Sequence, residues 1–225
     1  MKLIEMTDYV IALEPETRLK KRILQLKRKA KSIAGSQKYL ADAPHCTLMV
    51  FNVKDKATLM RELAMLRDEI IAPALKEGIS PEISGWLVFS GDVITGNETL
   101  VCGLGRTCEK KLAVMQQKAV ARISRLRTPQ LPERYVKASR TLPEGMRKDL
   151  HKYGYPFVGK GWKPHISIAS FEKAAFAAVY KALEKSCPKG KFSFDALVLY
   201  RLGGKEKLAM LKRYPLRQKR KGGRR

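Results

Sequence analysis

The sequence predicts an α+β fold built from two similar halves. Three observations carry this. Apolar residues recur with period two in short runs and with period 3.6 in longer ones, and the two kinds alternate along the 225 residues. A five-residue pattern, proline–histidine–apolar–hydroxyl–apolar, occurs twice, as Pro44-His45-Cys46-Thr47-Leu48 and as Pro164-His165-Ile166-Ser167-Ile168. Each copy opens a strand-like run, followed by a helical run and then two more strand-like runs, a repeat of structure with little repeat of sequence.

Taken in order, residues 9–13 form a short apolar strand closed by Glu14-Pro15. Over 17–32 the period turns helical, with Leu19, Ile23, Leu26, Ala30 and Ile33 on one stripe. The other faces carry Arg18, Lys20, Lys21, Arg22, Lys27, Arg28, Lys29 and Lys31, with no acid in the span. A solvated helix face usually mixes signs, so this run reads as a docking surface for phosphates, with Lys20, Lys21, Arg28 and Lys31 as its expected contacts. After a loop over 35–43, Pro44 opens the first histidine strand, 46–53, at a position where its missing N–H costs little. Asp55 caps a helix over 57–77 with Leu59, Leu63, Leu66 and Ile70 inward, ended by Gly78. Strands over 83–89 and 99–104 are joined around Gly91 and Gly96-Asn97, and a helix over 108–127 buries Leu112, Met115, Ala119, Ile123 and Leu126.

Residues 128–163 are rich in proline and glycine and read as a long, partly ordered crossing segment with one helical piece over 145–153. Its aromatic end, with Tyr153 and Phe157, leads into the second histidine strand, 166–171; those rings can stack on a base or pack at a cleft edge. A helix over 171–186 follows, with Ala175, Val179 and Leu183 inward. Strands over 192–202 and 207–214, joined by Gly203-Gly204, complete a single domain over 1–216, and 217–225 is a basic, disordered tail.

Hydrophobic content of 44% with 30% charged residues belongs to a folded, water-soluble protein with a sizeable core. No apolar run approaches the ~20 residues a membrane helix needs. The first eight residues lack the basic-then-apolar layout of a signal peptide. Cys46, Cys102, Cys108 and Cys187 are scattered, which argues against a zinc site and fits reduced thiols; the expected compartment is cytoplasmic, with the basic tail also compatible with the nucleus. The formal charge of +25, clustered on one helix and the tail, favours a polyanionic partner. RNA is therefore the expected partner, with no membrane, no cofactor and a monomeric state.

On a strand, residues two apart share a face. His45 with Thr47 and His165 with Ser167 are thus expected on one patch, while Cys46, Leu48, Ile166 and Ile168 enter a core. Two imidazoles without a metal suit phosphodiester cleavage, because near neutral pH one can accept a proton while the other donates one. The hydroxyls of Thr47 and Ser167 can hold the non-bridging oxygens, with Lys163 as a further source of positive charge. A metal site lacks a visible third ligand, and a Cys46–His45 pair fails because the two side chains point to opposite faces. The third histidine, His151, has no such neighbours and reads as a surface residue.

On these residues the chain resembles the two-histidine (2H) phosphoesterase superfamily, in its 2′-5′ RNA ligase-like and cyclic phosphodiesterase branch. The tetrads His45-Cys46-Thr47-Leu48 and His165-Ile166-Ser167-Ile168 carry the resemblance, with Tyr153-Gly154 and the closing run Ala196-Leu197-Val198-Leu199-Tyr200-Arg201 in support; it covers residues 9–216. Cys46 is a small departure from the pattern. The resemblance implies a bilobal fold, two pseudo-symmetric lobes of antiparallel sheet with outer helices around a central cleft. It also implies metal-independent hydrolysis of 2′,3′-cyclic phosphate at RNA ends, tRNA or other structured RNA, by His45 and His165. Alternatives are 2′-5′ joining or cleavage on the same site, or an RNA-binding module without turnover.

Overall fold

The computed structural model describes residues 7–77, 79–203 and 207–216; the expected tail over 217–225, the helix stop at Gly78 and the second glycine of the last turn lie outside them. Two four-stranded sheets, antiparallel throughout, organise the chain. The first has the order β2-β1-β7-β8, from Cys46–Asn52, Asp8–Pro15, Phe194–Leu202 and Leu208–Pro215. The second has the order β5-β4-β3-β6, from His165–Phe171, Glu98–Leu104, Glu82–Phe89 and Gly190–Lys191. The architecture is α+β and compatible with two lobes.

The sheets do not follow the chain halves. The strand pair that follows each histidine strand joins the other histidine's sheet: β4 pairs with β5 and carries β3 beside it, while β7 and β8 extend the sheet of β2. The local period of a strand says nothing about its partner, so this interleaving is a tertiary choice. It leaves β2 and β5 as edge strands that meet each other.

Helices brace the sheets crosswise. α1 (Thr17–Ala34) leaves the first sheet and packs on β5 and on α7 (Lys173–Leu183). α4 (Arg106–Ile123) leaves the second sheet and packs on β2 and on α2 (Lys56–Leu66). Their exits match as well: Lys38 bridges to Ser170 at the end of β5, and Arg127 bridges to Val53 just past β2. Leu19, Ile23, Leu26 and Ala30 are buried as the α1 stripe predicts, but Ile33, in the last turn before Gly35, is 41% exposed.

Asp55 accepts a hydrogen bond from the Ala57 N–H and caps α2, a contact of about 1 kcal/mol. The expected single helix over 57–77 is interrupted by a π turn, Arg67–Ile71, before α3 (Ala72–Lys76). Pro73, without an N–H, cannot continue the α ladder, and the wide turn absorbs the break. The turn also moves the inward face by one residue, so Ile71 rather than Ile70 is fully buried.

The 128–163 segment is more ordered than its composition suggests. α5 (Glu133–Ala138) and α6 (Glu144–Tyr153) start at Pro132 and Pro143, where a helix needs no donor. Tyr135, Leu142, Leu150, Tyr155, Val158 and Trp162 are buried, so the segment is a packed wall rather than a loose crossing.

Candidate active site

The alternation predicted for both tetrads is present. Cys46, Leu48, Ile166 and Ile168 are 0–1% exposed, while His45, Thr47, His165 and Ser167 are half-buried and face one cavity of about 480 Å³. The two strands share a further detail that the sequence did not disclose. β2 pairs Met49 with Ile11 and Thr47 with Ala12, so Leu48 is squeezed out as a bulge. β5 pairs Ala169 with Leu100 and Ser167 with Val101, so Ile168 bulges at the same tetrad position. A bulge re-aims the side chains beside it, and here it turns each hydroxyl relative to the rest of its strand.

The rings are held alike. His45 Nδ1 lies 2.7 Å from the Ala43 carbonyl and His165 Nδ1 lies 2.6 Å from the Lys163 carbonyl, each across a trans proline. A carbonyl only accepts, so each Nδ1 carries hydrogen and donates it; the lone pair of a neutral ring is then on Nε2. Among the described residues no protein hydrogen bond engages the Thr47 or Ser167 hydroxyl. The Thr47 carbonyl accepts from the Trp162 indole at 3.0 Å, and Gln116 of α4 donates to the Leu48 carbonyl at 2.9 Å, so the backbone around the first bulge is held on both sides.

The electrostatic surroundings differ. Burial lowers His45, and the cations Lys27, His165 and Arg134 lower it further against the opposing hydrogen bond to Ala43, down to about 4. Burial also lowers His165, but its bond to Lys163 and the nearby Asp92 carboxylate both oppose that. Tyr200 packs against His45 with ring centroids 5.6 Å apart, and Phe89 meets His165 edge-on at 4.9 Å. Burial pushes the Cys46 thiol up to about 12, which leaves it inert beside the histidines.

Lys163 lines the cavity, but its ammonium is paired with Glu109 at 2.7 Å; its backbone carbonyl, rather than its charge, is what reaches His165. Phe157 lines the cavity beside Tyr135 and Tyr155, in a cluster with centroids 5.6–6.5 Å apart. Tyr153 is not in the lining; Lys152 sits over its ring at 4.9 Å. His151 is exposed, as expected.

On the basic helix, Lys21, Arg28 and Lys31 are exposed, whereas the Lys20 ammonium is bound to Glu14 of β1. Burial alone would raise the Glu14 carboxyl; hydrogen bonds from Lys20 and Arg213 outweigh it and hold it below its ordinary value. Lys29 donates to the Ala182 carbonyl at 2.9 Å. Lys27 departs most from the expected cationic face: it is 3% exposed and lines the cavity.

Sequence reasoning missed Lys27, Arg134, Asp92 and Trp162 as cavity residues. Lys27 was findable, since it lies four residues after Ile23 on the apolar stripe. Arg134 and Asp92 sit in a proline-flanked segment and a hairpin turn, where no period marks a direction. No protein-family model matches this chain, and no curated protein matches it.

Proposed function

We propose that this chain is a 2H-type phosphodiesterase that hydrolyses 2′,3′-cyclic phosphate at RNA ends. One observation carries the reading: two equivalent histidine–hydroxyl pairs, each ring anchored through Nδ1 to the carbonyl two residues earlier, open on one cavity. Neither Nε2 has a protein partner among the described residues, so both are available to move protons at a bound phosphate.

The step needs one ring of each kind. The neutral imidazole takes a proton from water as its oxygen bonds to phosphorus; the bond to the ribose 2′ or 3′ oxygen breaks, and the cationic imidazole protonates that oxygen. His45, beside Lys27 and Arg134, resists protonation and suits the base. His165, beside Asp92, suits the acid, and an anionic diester in the cavity further favours its charged form. Thr47 and Ser167 donate to the non-bridging oxygens, where charge grows in the transition state. No group of three or more His, Cys, Asp or Glu able to hold a metal exists among the described residues, and no step here is routed through one.

RNA is favoured over a free nucleotide by the net charge of +25 and by the exposed Lys21, Arg28 and Lys31 on α1. The test is a panel of short RNAs ending in a cyclic phosphate, a 2′-phosphate, a 3′-phosphate or a 2′-5′ linkage, assayed with excess chelator. Turnover of the cyclic end that survives chelator and is lost in both His45→Ala and His165→Ala is the expected result. Salt-sensitive RNA binding without turnover of any member would leave a binding module instead, and full activity in either variant would remove the histidine pair from the chemistry.

A further inference from the structure

Lys27 is the only cation of α1 among the buried residues, and its ammonium is fully engaged in one direction. Nζ donates to the Tyr39 carbonyl at 2.5 Å and to the Asp42 carbonyl at 2.8 Å, both in the loop between α1 and β2. The next residue, Ala43, supplies the carbonyl that fixes His45 Nδ1. A third observation shows why the loop needs holding. Tyr39 has φ +71°, the one positive φ outside glycine among the described residues, and such a backbone persists only when its surroundings impose it. The strained residue, the ammonium that grips it and the histidine carbonyl therefore form one continuous chain of contacts.

We infer that Lys27 is a positioning residue for His45: by clamping the Tyr39 and Asp42 carbonyls it holds the loop so that the Ala43 carbonyl keeps the imidazole in its Nδ1–H form, with Nε2 facing the cavity. The catalytic consequence rests on the phosphodiesterase reading; the tautomer does not. Without the ammonium, the Asp42 carbonyl loses the Lys27 donor, the Tyr39 carbonyl keeps only the longer bond from the Asp42 N–H at 3.2 Å, and the Tyr39 backbone relaxes toward negative φ. Because Ala43 is the residue after Asp42, its carbonyl moves with them. His165 has its own anchor on a different helix, so it stays as it is.

The experiment uses the full chain, uniformly labelled with 15N, and reads the tautomer of each histidine from its ring-nitrogen shifts near pH 7.5. In the wild type both His45 and His165 are Nδ1–H. In Lys27→Met, which stays flexible and unbranched, one atom shorter than lysine, and removes every donor, His45 shifts toward Nε2–H while His165 is unchanged. Adding Tyr39→Gly, which makes a positive φ free of strain, returns part of the Nδ1–H signal. Turnover of the cyclic-phosphate substrate falls about 10- to 100-fold in kcat with KM within about twofold, as for a misplaced reacting group. An unchanged His45 tautomer in a folded Lys27→Met protein overturns the inference. If Lys27→Met does not fold, Lys27→Gln, one atom shorter than lysine and with an amide in place of the ammonium that reaches both carbonyls, is read instead: the same His45 shift is expected, and an unchanged tautomer overturns the inference. Should the wild type turn over no substrate in the panel, the functional reading fails and the tautomer result still decides this one.

Discussion

The two histidine strands are alike in backbone and unlike in charge. Each has its proline, its Nδ1–carbonyl bond, its bulge one residue after the hydroxyl, and its edge position facing the other. Yet the charges of Lys27 and Arg134 act against a proton on His45, while the Asp92 carboxylate favours one on His165. The repeated backbone brings two rings to one cavity in equivalent poses, and the unrepeated residues around them keep His45 neutral while favouring a proton on His165. In the proposed phosphodiesterase, symmetry would supply the geometry and its local failure the direction of proton transfer.

Removing either ring breaks the comparison outright. His45→Ala and His165→Ala should each lose about 10²- to 10⁴-fold in kcat, the range for a general acid or base, measured on the cyclic-phosphate RNA under chelator. The two losses should be non-additive in the double variant, since each ring works only with the other. The hydroxyls come next. Thr47→Val and Ser167→Ala should each cost about 10²-fold in kcat with binding little changed, because each removes one donor to developing charge. Comparable losses from the two would extend the symmetry from the rings to the oxyanion contacts.

Much of this was legible in the sequence because it depends on local period. Alternation over two residues put Cys46 and Ile166 in the core and Thr47 and Ser167 in the cavity, and the 3.6 period put Leu19, Ile23, Leu26 and Ala30 inward. The same period put Lys27 inward too, but its residue type argued for water, and only its two carbonyl partners show how the burial is satisfied. Prolines at 132 and 143 looked like loop formers and act as helix starts. The exchange of strand pairs between the sheets, and the shared bulges, depend on pairing between strands that are distant in the chain, which no local pattern records.

Charge around the rings gives smaller effects that sharpen the difference between them. Asp92→Asn keeps an oxygen for the Ile94 and Thr95 N–H groups but removes the charge that raises His165. The pH–rate limb set by protonated His165 should therefore move to lower pH, with a few-fold loss of rate at neutral pH. His45 can be read through stability. Its folded value, about 4, lies below the ordinary 6.5, so between those values the unfolded chain binds a proton that the folded chain refuses. Stability should fall as pH drops from about 6.5 to about 4, and His45→Gln should flatten that slope in denaturant titrations.

The smallest expected effect separates the two anchors. His165's carbonyl belongs to Lys163, whose side chain is tied to Glu109 of α4 in an ion pair with the lysine 57% exposed. His45's carbonyl follows a loop held by Lys27 of α1, which is 3% exposed. Exposed pairs contribute about 0–1 kcal/mol, because water replaces the lost partner and salt screens the rest. The half-buried Tyr39 and Asp42 carbonyls are harder for water to reach than the Lys163–Glu109 pair, and losing the Lys27 donor leaves the Tyr39 carbonyl only the Asp42 N–H at 3.2 Å. Glu109→Gln should thus change kcat by less than about threefold and leave the His165 tautomer as it is. A loss as large as that of Lys27→Met would mean that α1 and α4 hold their histidines with equal force, and that the asymmetry of the pair lies only in Lys27, Arg134 and Asp92 as charges.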